Sequence, residues 1–397
     1  MKQGWEIKKL GEVCRFINGR AYSKHELLQQ GKYPVLRVGN FFTNNHWYHS
    51  DLELDEDKYC DYGDLLYAWS ASFGPRIWEG AKVIYHYHIW KVIPNTELIT
   101  KEFLFQLLKW DTEAIKTAHG TGATMMHVGK NSIETRLVPL PPLPEQQRIV
   151  AILDEAFAAI AKAKANAEQN LRNAKELFES YLQNTFKSKI QGEISNAIDN
   201  LCELIVDCEH KTAPIQETGY PSIRTPNIGK GTLILDNVNR VSYETYLQWT
   251  RRAIPKADDL ILAREAPAGN IAVIPENLEC CLGQRTVLIR PKKDKLISKY
   301  LAYLILSKDV QEKLLLHSTG ATVEHINMRD IRAFRIYNLS SIQEQRIIVQ
   351  KLDALSAETK KLETIFQQKI NDLEELKKSI LQKAFNGELK ASKEVAA

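Results

Sequence analysis

Two stretches of this chain carry apolar residues every three to four positions in long runs free of glycine, and the remainder does not. The first follows a proline-rich lead, Leu140-Pro141-Pro142-Leu143-Pro144, opens as Glu145-Gln146-Gln147-Arg148-Ile149-Val150 and runs to Phe186. About forty unbroken residues of mostly Ala, Leu, Glu, Lys, Gln and Arg predict a single helix on the order of 60 Å long. The second opens as Ile342-Gln343-Glu344-Gln345-Arg346-Ile347-Ile348-Val349 and runs to Phe385. Ile149, Val150, Leu153, Asp154, Leu182, Gln183 and Phe186 answer Ile348, Val349, Leu352, Asp353, Leu381, Gln382 and Phe385. The chain is a tandem duplication, which governs any reading of its fold.

Both helices fit one heptad register. Leu153, Ala156, Ile160, Ala163, Ala167, Asn170, Ala174, Leu177, Tyr181 and Asn184 alternate between a and d in the first. Leu352, Leu355, Thr359, Leu362, Phe366, Lys369, Leu373, Leu376, Ile380 and Lys383 do so in the second. Mostly apolar a and d positions with charged flanks predict that the helices pack on each other along this seam. A small Ala seam against Leu, Phe and Ile predicts a close, asymmetric pair.

Ahead of each helix the texture is that of a mixed α/β globule. Strands are expected over residues 33–40, 64–69 and 81–93 from their β-branched and aromatic content, with a last one over 136–140. An amphipathic helix is expected over 101–118, with Phe103, Leu104, Leu107, Leu108 and Ile115 on one face. A loop, Gly120-Thr121-Gly122-Ala123-Thr124, follows it. After Gly192 the plan restarts: residues 219–227 answer 31–40, 258–261 answer 63–66, and the loop recurs as Ser318-Thr319-Gly320-Ala321-Thr322. Ser341 and Glu344 form a capping box at the second helix, and Asn386-Gly387 a C-cap. The expected division is globules over 1–140 and 192–340, long helices over 141–191 and 341–388, and a frayed tail over 389–397.

Composition narrows the chemistry. At 397 residues, 44% apolar and 26% charged, the chain has the makeup of an ordinary soluble protein of two to three domains. No run reaches membrane-spanning length and the opening residues are too polar for a signal peptide, so a cytoplasmic location is expected. A net charge of +4 permits nucleic-acid binding without arguing for it. Cys14, Cys60, Cys202, Cys208, Cys280 and Cys281 show no Cys-x-x-Cys spacing and are expected as reduced, buried thiols. His46 with His49, and His86 with His88, have no nearby carboxylate or cysteine to complete a metal set. A phosphate-binding Gly-x-x-x-x-Gly-Lys loop, a dinucleotide turn and an Asn-Pro-Pro-aromatic tetrapeptide are all missing, so no catalytic residue, cofactor site or metal site is assigned.

Pro-Leu-Pro-Glu-Gln-Gln-Arg-Ile-Val before a long helix, the paired Thr-Gly-Ala-Thr loops, Phe385-Asn386-Gly387-Glu388-Leu389 and the two-copy layout together resemble the specificity (S) subunits of type I restriction-modification enzymes. The resemblance covers nearly the whole chain. It implies an α+β protein in which two mixed α/β target recognition domains are joined by two long helices pairing as an antiparallel coiled coil, an internal tandem repeat with pseudo-twofold symmetry. Each globule would read half of a split, asymmetric site on double-stranded DNA, with half-site centres about ten base pairs apart. The helices would dock two methyltransferase subunits that use S-adenosylmethionine, joined by restriction and motor subunits, and this chain would perform no chemistry. The proline-rich lead has no counterpart at Asn338-Leu339-Ser340-Ser341, and Trp69 stands opposite Arg264; both are departures between the copies.

Candidate DNA contacts follow. Thr121, Gly122, Thr124 and His127, with Thr319, Gly320, Thr322 and His325, offer hydroxyls and amides that approach phosphates closely, against the plainer alternative of a glycine-rich helix exit. Arg37 with Asn40 and Arg224 with Asn227 recur at one spacing and suit guanine and adenine edges. An ion pair within the domain suits Arg37 and Arg224 equally, and features shared by both copies favour positioning over base choice. Trp69 and Arg264 are where the copies differ. His210 and Lys211, in Asp207-Cys208-Glu209-His210-Lys211-Thr212-Ala213-Pro214, are either DNA contacts or a solvated turn. An architectural coiled-coil adaptor and a self-contained DNA-modifying enzyme are the competing readings.

Overall fold

A computed structural model describes residues 2–42, 45–70, 73–119, 127–315 and 325–389. The chain forms two compact units, Met1–Ala167 with Lys369–Ala397, and Glu168–Gln368. The division falls inside both long helices, Leu143–Phe186 and Ile342–Phe385, each of 44 residues.

In the first unit, strands Cys14–Asn18, Ile89–Pro94, Leu65–Ala68 and Gly74–Ile77 lie side by side in that order, all antiparallel. A second sheet orders Tyr48–Ser50, Tyr33–Leu36, Val83–Tyr85 and Tyr59–Cys60, with Tyr33–Leu36 parallel to Val83–Tyr85. Leu65-Leu66-Tyr67-Ala68 is buried at every position, so it shows a continuous apolar run instead of alternation. The helix Lys101–His119 sets Phe103, Leu104, Leu107, Leu108 and Ile115 against Phe16, Tyr67 and Trp90. Each such side chain contributes roughly 1.5–3 kcal/mol when fully buried.

The second unit repeats the plan. Cys202–Asp207, Thr286–Pro291, Leu260–Ala263 and Ile271–Val273 form the antiparallel sheet. Arg240–Val241, Tyr220–Ile223 and Cys281–Leu282 form the sheet with the parallel pair. Its helix comes in two pieces, Ser298–Leu306 and Lys308–Leu315, because Ser307 is extended between them.

Two expectations are corrected. Residues 81–93 are not one strand: Val83–Tyr85 belongs to one sheet and Ile89–Pro94 to the other, with the crossing turn His86-Tyr87-His88 between them. This turn holds neither glycine nor proline, so nothing in composition marks it. Residues 33–40 are extended only to Leu36, and Val38–Phe42 is a short helix.

The Glu-Gln-Gln and Gln-Glu-Gln motifs turn out to be structural. Gln146 is fully buried; its Oε1 accepts from the Thr100 amide at 2.9 Å, and its Nε2 donates to Leu98 O and Pro141 O, both at 2.8 Å. Gln345 does the same with the Ile297 amide, Lys295 O and Ser340 O, each at 2.9 Å. One side chain thus satisfies three backbone groups where helix, loop and strand meet, an arrangement only a primary amide supplies. The second helix opens on its capping box, with Ser341 N donating to Glu344 and Glu344 N to Ser341 Oγ, and closes at Gly387, whose φ is +76°.

Within the first unit, Ile149 and Leu153 of the first helix share a core with Leu381, Ala384 and Phe385 of the second. Lys164 donates to Glu374 at 2.5 Å and the Lys377 ammonium lies 5.5 Å from the Phe157 ring centre. Within the second unit, Leu182 and Phe186 share a core with Leu352. In each unit the beginning of one helix therefore meets the end of the other, which is antiparallel pairing.

The seam itself needs correction. Leu153, Ile160 and Leu352 are buried, and Phe366, Leu373 and Ile380 half-buried, but Leu177, Tyr181, Leu362 and Leu376 are between 39% and 52% exposed. One heptad row stays inward, through Ala167 and Ala174 of the first helix and Thr359, Phe366, Leu373 and Ile380 of the second, while its companion row is exposed at Leu177, Leu362 and Leu376. Only at the end of the first helix does the buried row pass from Tyr181 to Leu182, as a straight helix falls behind a strict heptad. All six cysteines are buried and unbridged, and burial pushes Cys14, Cys202 and Cys280 up to about 12, which leaves them inert as nucleophiles.

Candidate nucleic-acid interface

In both units the residue just past a central strand, Trp69 after Leu65–Ala68 or Arg264 after Leu260–Ala263, meets the turn that crosses between the sheets. Backbone bonds fix the two places identically. Trp69 N donates to His88 O at 3.0 Å and accepts Val128 N at 3.1 Å through its carbonyl; Arg264 N donates to Arg285 O at 2.9 Å and its carbonyl accepts Ile326 N at 3.0 Å. The turn is fixed as well, with His86 N on Leu36 O at 2.9 Å and Gly283 N on Ile223 O at 2.8 Å. His86-Tyr87-His88 and Gly283-Gln284-Arg285 are thus equivalent, and Arg37 and Arg224 each follow the residue that holds the turn.

The side chains at these places differ in kind. In the first unit Trp69 stacks on Trp90 with ring centres 5.8 Å apart, meets His88 edge-on at 4.8 Å, and lies 5.9 Å from exposed His127. Its indole N–H donates to Tyr87 O at 2.7 Å, so only its faces remain to be offered. Burial, then His88 and Arg37, hold His86 down to about 4, and burial with His127 and Arg37 also lowers His88. Both rings are neutral near pH 7, and the face is aromatic with a cation, exposed Arg37, whose guanidinium lies 5.4 Å from the Tyr48 ring centre.

The second unit is charged at the same place. Arg264 is only 8% exposed: its Nε donates to Ile326 O, one terminal nitrogen to Asp207, and the other to His325 Nε2, all at 2.8 Å. An arginine can only donate, so Nε2 accepts and Nδ1 carries the proton that Glu265 takes at 2.6 Å. The other Glu265 oxygen is 2.9 Å from Nε of Arg285. His210 reaches Asp207 at 3.1 Å, and Lys211 is exposed beside it. Among the described residues no group of histidines, cysteines and carboxylates is arranged to hold a metal ion.

These placements revise the candidate set. Arg264, expected as an outward contact, is buried with its donors committed inward, because Asp207 stands where the first unit has Asn18. His325 has both ring nitrogens engaged. Asn40 donates to His46 O at 2.5 Å and Asn227 to Ile234 O at 3.2 Å, while Asn227 Oδ1 accepts the Arg224 amide, so the asparagines brace their loops. Arg37, Arg224, His127, His210 and Lys211 remain at the surface. Thr121, Gly122, Thr124, Thr319, Gly320 and Thr322 lie outside the described residues. Sequence reasoning missed Tyr87, Glu265 and Arg285; the repeat alignment, carried past the matched strands, pairs Arg285 with His88 and could have found them.

The type I restriction modification DNA specificity domain matches residues 2–169 and 195–375. The chain is 23% identical to the type I restriction enzyme EcoBI specificity subunit of Escherichia coli, covering 98% of this chain and 86% of that protein. It is 24% identical to the MjaVIII specificity subunit of Methanocaldococcus jannaschii, covering 98% and 93%. A chain from a study of complex assembly and conformational transition in a type I restriction-modification system has the same fold, with a TM-score of 0.76 at 21% identity over 98% of this chain and 99% of that one. The HsdS subunit of Thermoanaerobacter tengcongensis gives 0.57 at 20% identity, over 98% of each.

Proposed function

Because this chain belongs to the type I restriction modification DNA specificity family, we propose that it supplies the sequence address of a restriction-modification complex and performs no chemistry itself. The observation that carries this reading is the matched pair of faces: one scaffold, made twice, presents aromatic groups in one copy and charged groups in the other. Residues 1–140 and 192–340 act as the two target recognition domains, and each reads one half of a bipartite, asymmetric site on double-stranded DNA. Arg37, Arg224, His210, Lys211 and His127 supply surface contacts, with Trp69 offering its ring. Two methyltransferase subunits, holding S-adenosylmethionine, dock on the long helices, and restriction and motor subunits join through them. Leu177, Tyr181, Leu362 and Leu376, apolar yet turned outward, are the residues such docking would cover.

The test uses the complex assembled with its methyltransferase subunits. Methylation sequencing of exposed DNA is expected to return a split, non-palindromic motif, and exchange of residues 1–140 for another recognition domain to change one half only. Binding should weaken steeply with salt, since phosphate contacts release counterions. A continuous or palindromic motif, or binding indifferent to salt, would overturn the reading.

A further inference from the structure

The charged network of the second unit reaches the surface at His210, through Asp207, and at Arg285. Arg264 is anchored by Asp207 and Ile326 O, it holds His325, His325 holds Glu265, and Glu265 reaches Arg285, whose side chain is 60% exposed. Arg285 also has φ +66°, a left-handed conformation that favours glycine or asparagine, yet a long cationic side chain occupies it. Beside it, the stem of Arg224 lies over Gly283, where an added Cβ would come within 2.4 Å of Arg224 Cγ. Two arginines therefore flank one tight turn.

We infer that Arg285 reads a guanine edge in the half-site assigned to the second unit, and that Arg264, Glu265 and His325 are positioning residues that aim it. The inference rests on the DNA-recognition reading above and deepens it. A phosphate anchor gains less from a carboxylate at its side, since Glu265 repels the phosphate while it holds the arginine. A base reader does gain, because a planar fork that must meet two acceptors, O6 and N7, needs its orientation fixed. With Nε ion-paired to Glu265, the two terminal nitrogens are left to form that fork. In the first unit the equivalent residue is His88, packed against Trp69, so this contact belongs to one half-site alone.

The experiment begins with the motif of the wild-type complex, assembled with its methyltransferase subunits, and then compares Arg285→Gly, Arg285→Lys and Glu265→Gln. Arg285→Gly removes the fork and relieves the backbone, so the thermal midpoint should not fall. It should cut discrimination at one guanine of one half-site by about ten- to a hundredfold and leave the other half-site unchanged. Arg285→Lys should do nearly the same despite keeping the charge. Glu265→Gln should give a smaller loss at that same base pair, which a purely structural role would not produce. If the motif survives Arg285→Gly intact, or if all sequences weaken equally with a shallower salt slope, Arg285 is not a base reader and the inference falls. If the wild-type complex yields no split motif at all, it is the underlying reading that has failed.

Discussion

The two units differ most where their backbones agree best. Around Trp69 and around Arg264 the same strand end, the same crossing turn and the same incoming amide are bonded in the same way, yet one place is filled by stacked rings and the other by an ion network. Main-chain bonds do not depend on side-chain identity, so a scaffold closed by them can exchange the chemistry of its face without being rebuilt. The exchange is not free residue by residue. Arg264 is tolerable at 8% exposure because Asp207, His325 and Ile326 O take its donors, whereas Trp69 needs only apolar faces and one carbonyl.

The largest effect should come from breaking that correspondence by force. Arg264→Met leaves Asp207 and His325 facing each other without their cation, and loss of one member of a buried pair costs about 3–5 kcal/mol. Trp69→Arg places a guanidinium among Trp90, His88 and His127 with Asn18 in place of a carboxylate, and should destabilise the first unit by about 3 kcal/mol. Urea unfolding of the full chain measures both, and hydrogen exchange shows whether each loss stays in its own unit. A Trp69→Arg protein as stable as wild type would mean that the two faces are interchangeable after all.

What the units share should fail equally. Gln146→Leu and Gln345→Leu each orphan one amide and two carbonyls, for a cost of about 2–4 kcal/mol in either unit. A difference of more than about 1 kcal/mol between them would show that the repeat is less faithful at its joints than the bond distances indicate. On the helices, Leu373→Glu at a half-buried position should cost about 1–3 kcal/mol. Leu376→Glu, at an exposed one, should stay within about 0.5 kcal/mol in the isolated chain.

The duplication, the long helices and their caps could be read from the residues because a helix declares itself through local period and terminal chemistry. The crossing turn at His86-Tyr87-His88 could not, since it is imposed by two sheets competing for neighbouring strands, a tertiary demand that leaves no glycine or proline behind. The seam was half visible. Leu153, Ile160 and Leu352 fall where a heptad puts them, and Leu177 and Leu376 do not because only one of the two heptad rows is buried along most of the pair. At the face, recurrence points to Asn40, Asn227 and His325, which brace the structure, while Arg285 is answered by His88, a residue of different type, so recurrence of residue type does not mark it.

The smallest effect separates two carboxylates at matched positions. Glu145 and Glu344 both open a long helix, each directly before its buried glutamine, and both are held below the ordinary carboxylate range. Arg148, then Lys2, bring Glu145 down to about 2, with Arg148 donating at 2.7 and 2.9 Å and Lys2 at 2.7 Å. Glu344 has Ile347 where Arg148 would be, and is lowered by hydrogen bonds from the Ser341 amide and hydroxyl. A carboxylate depressed in the folded state binds fewer protons there than in the unfolded chain, so its contribution is present above pH ~4.3 and is lost as pH falls. For Glu145 the loss continues down to about pH 2. Both Glu145→Gln and Glu344→Gln should therefore flatten the fall of the melting temperature between pH 5 and pH 2.5. Salt tells them apart: raising ionic strength to about 1 M shrinks the Debye length to roughly 3 Å and should weaken the contribution of the ion-paired Glu145, while the capping bonds of Glu344 persist. If the two variants respond to salt alike, the helix starts are held by the same force, and the difference between Pro142 and Ser341 that separates the copies in sequence has no energetic counterpart.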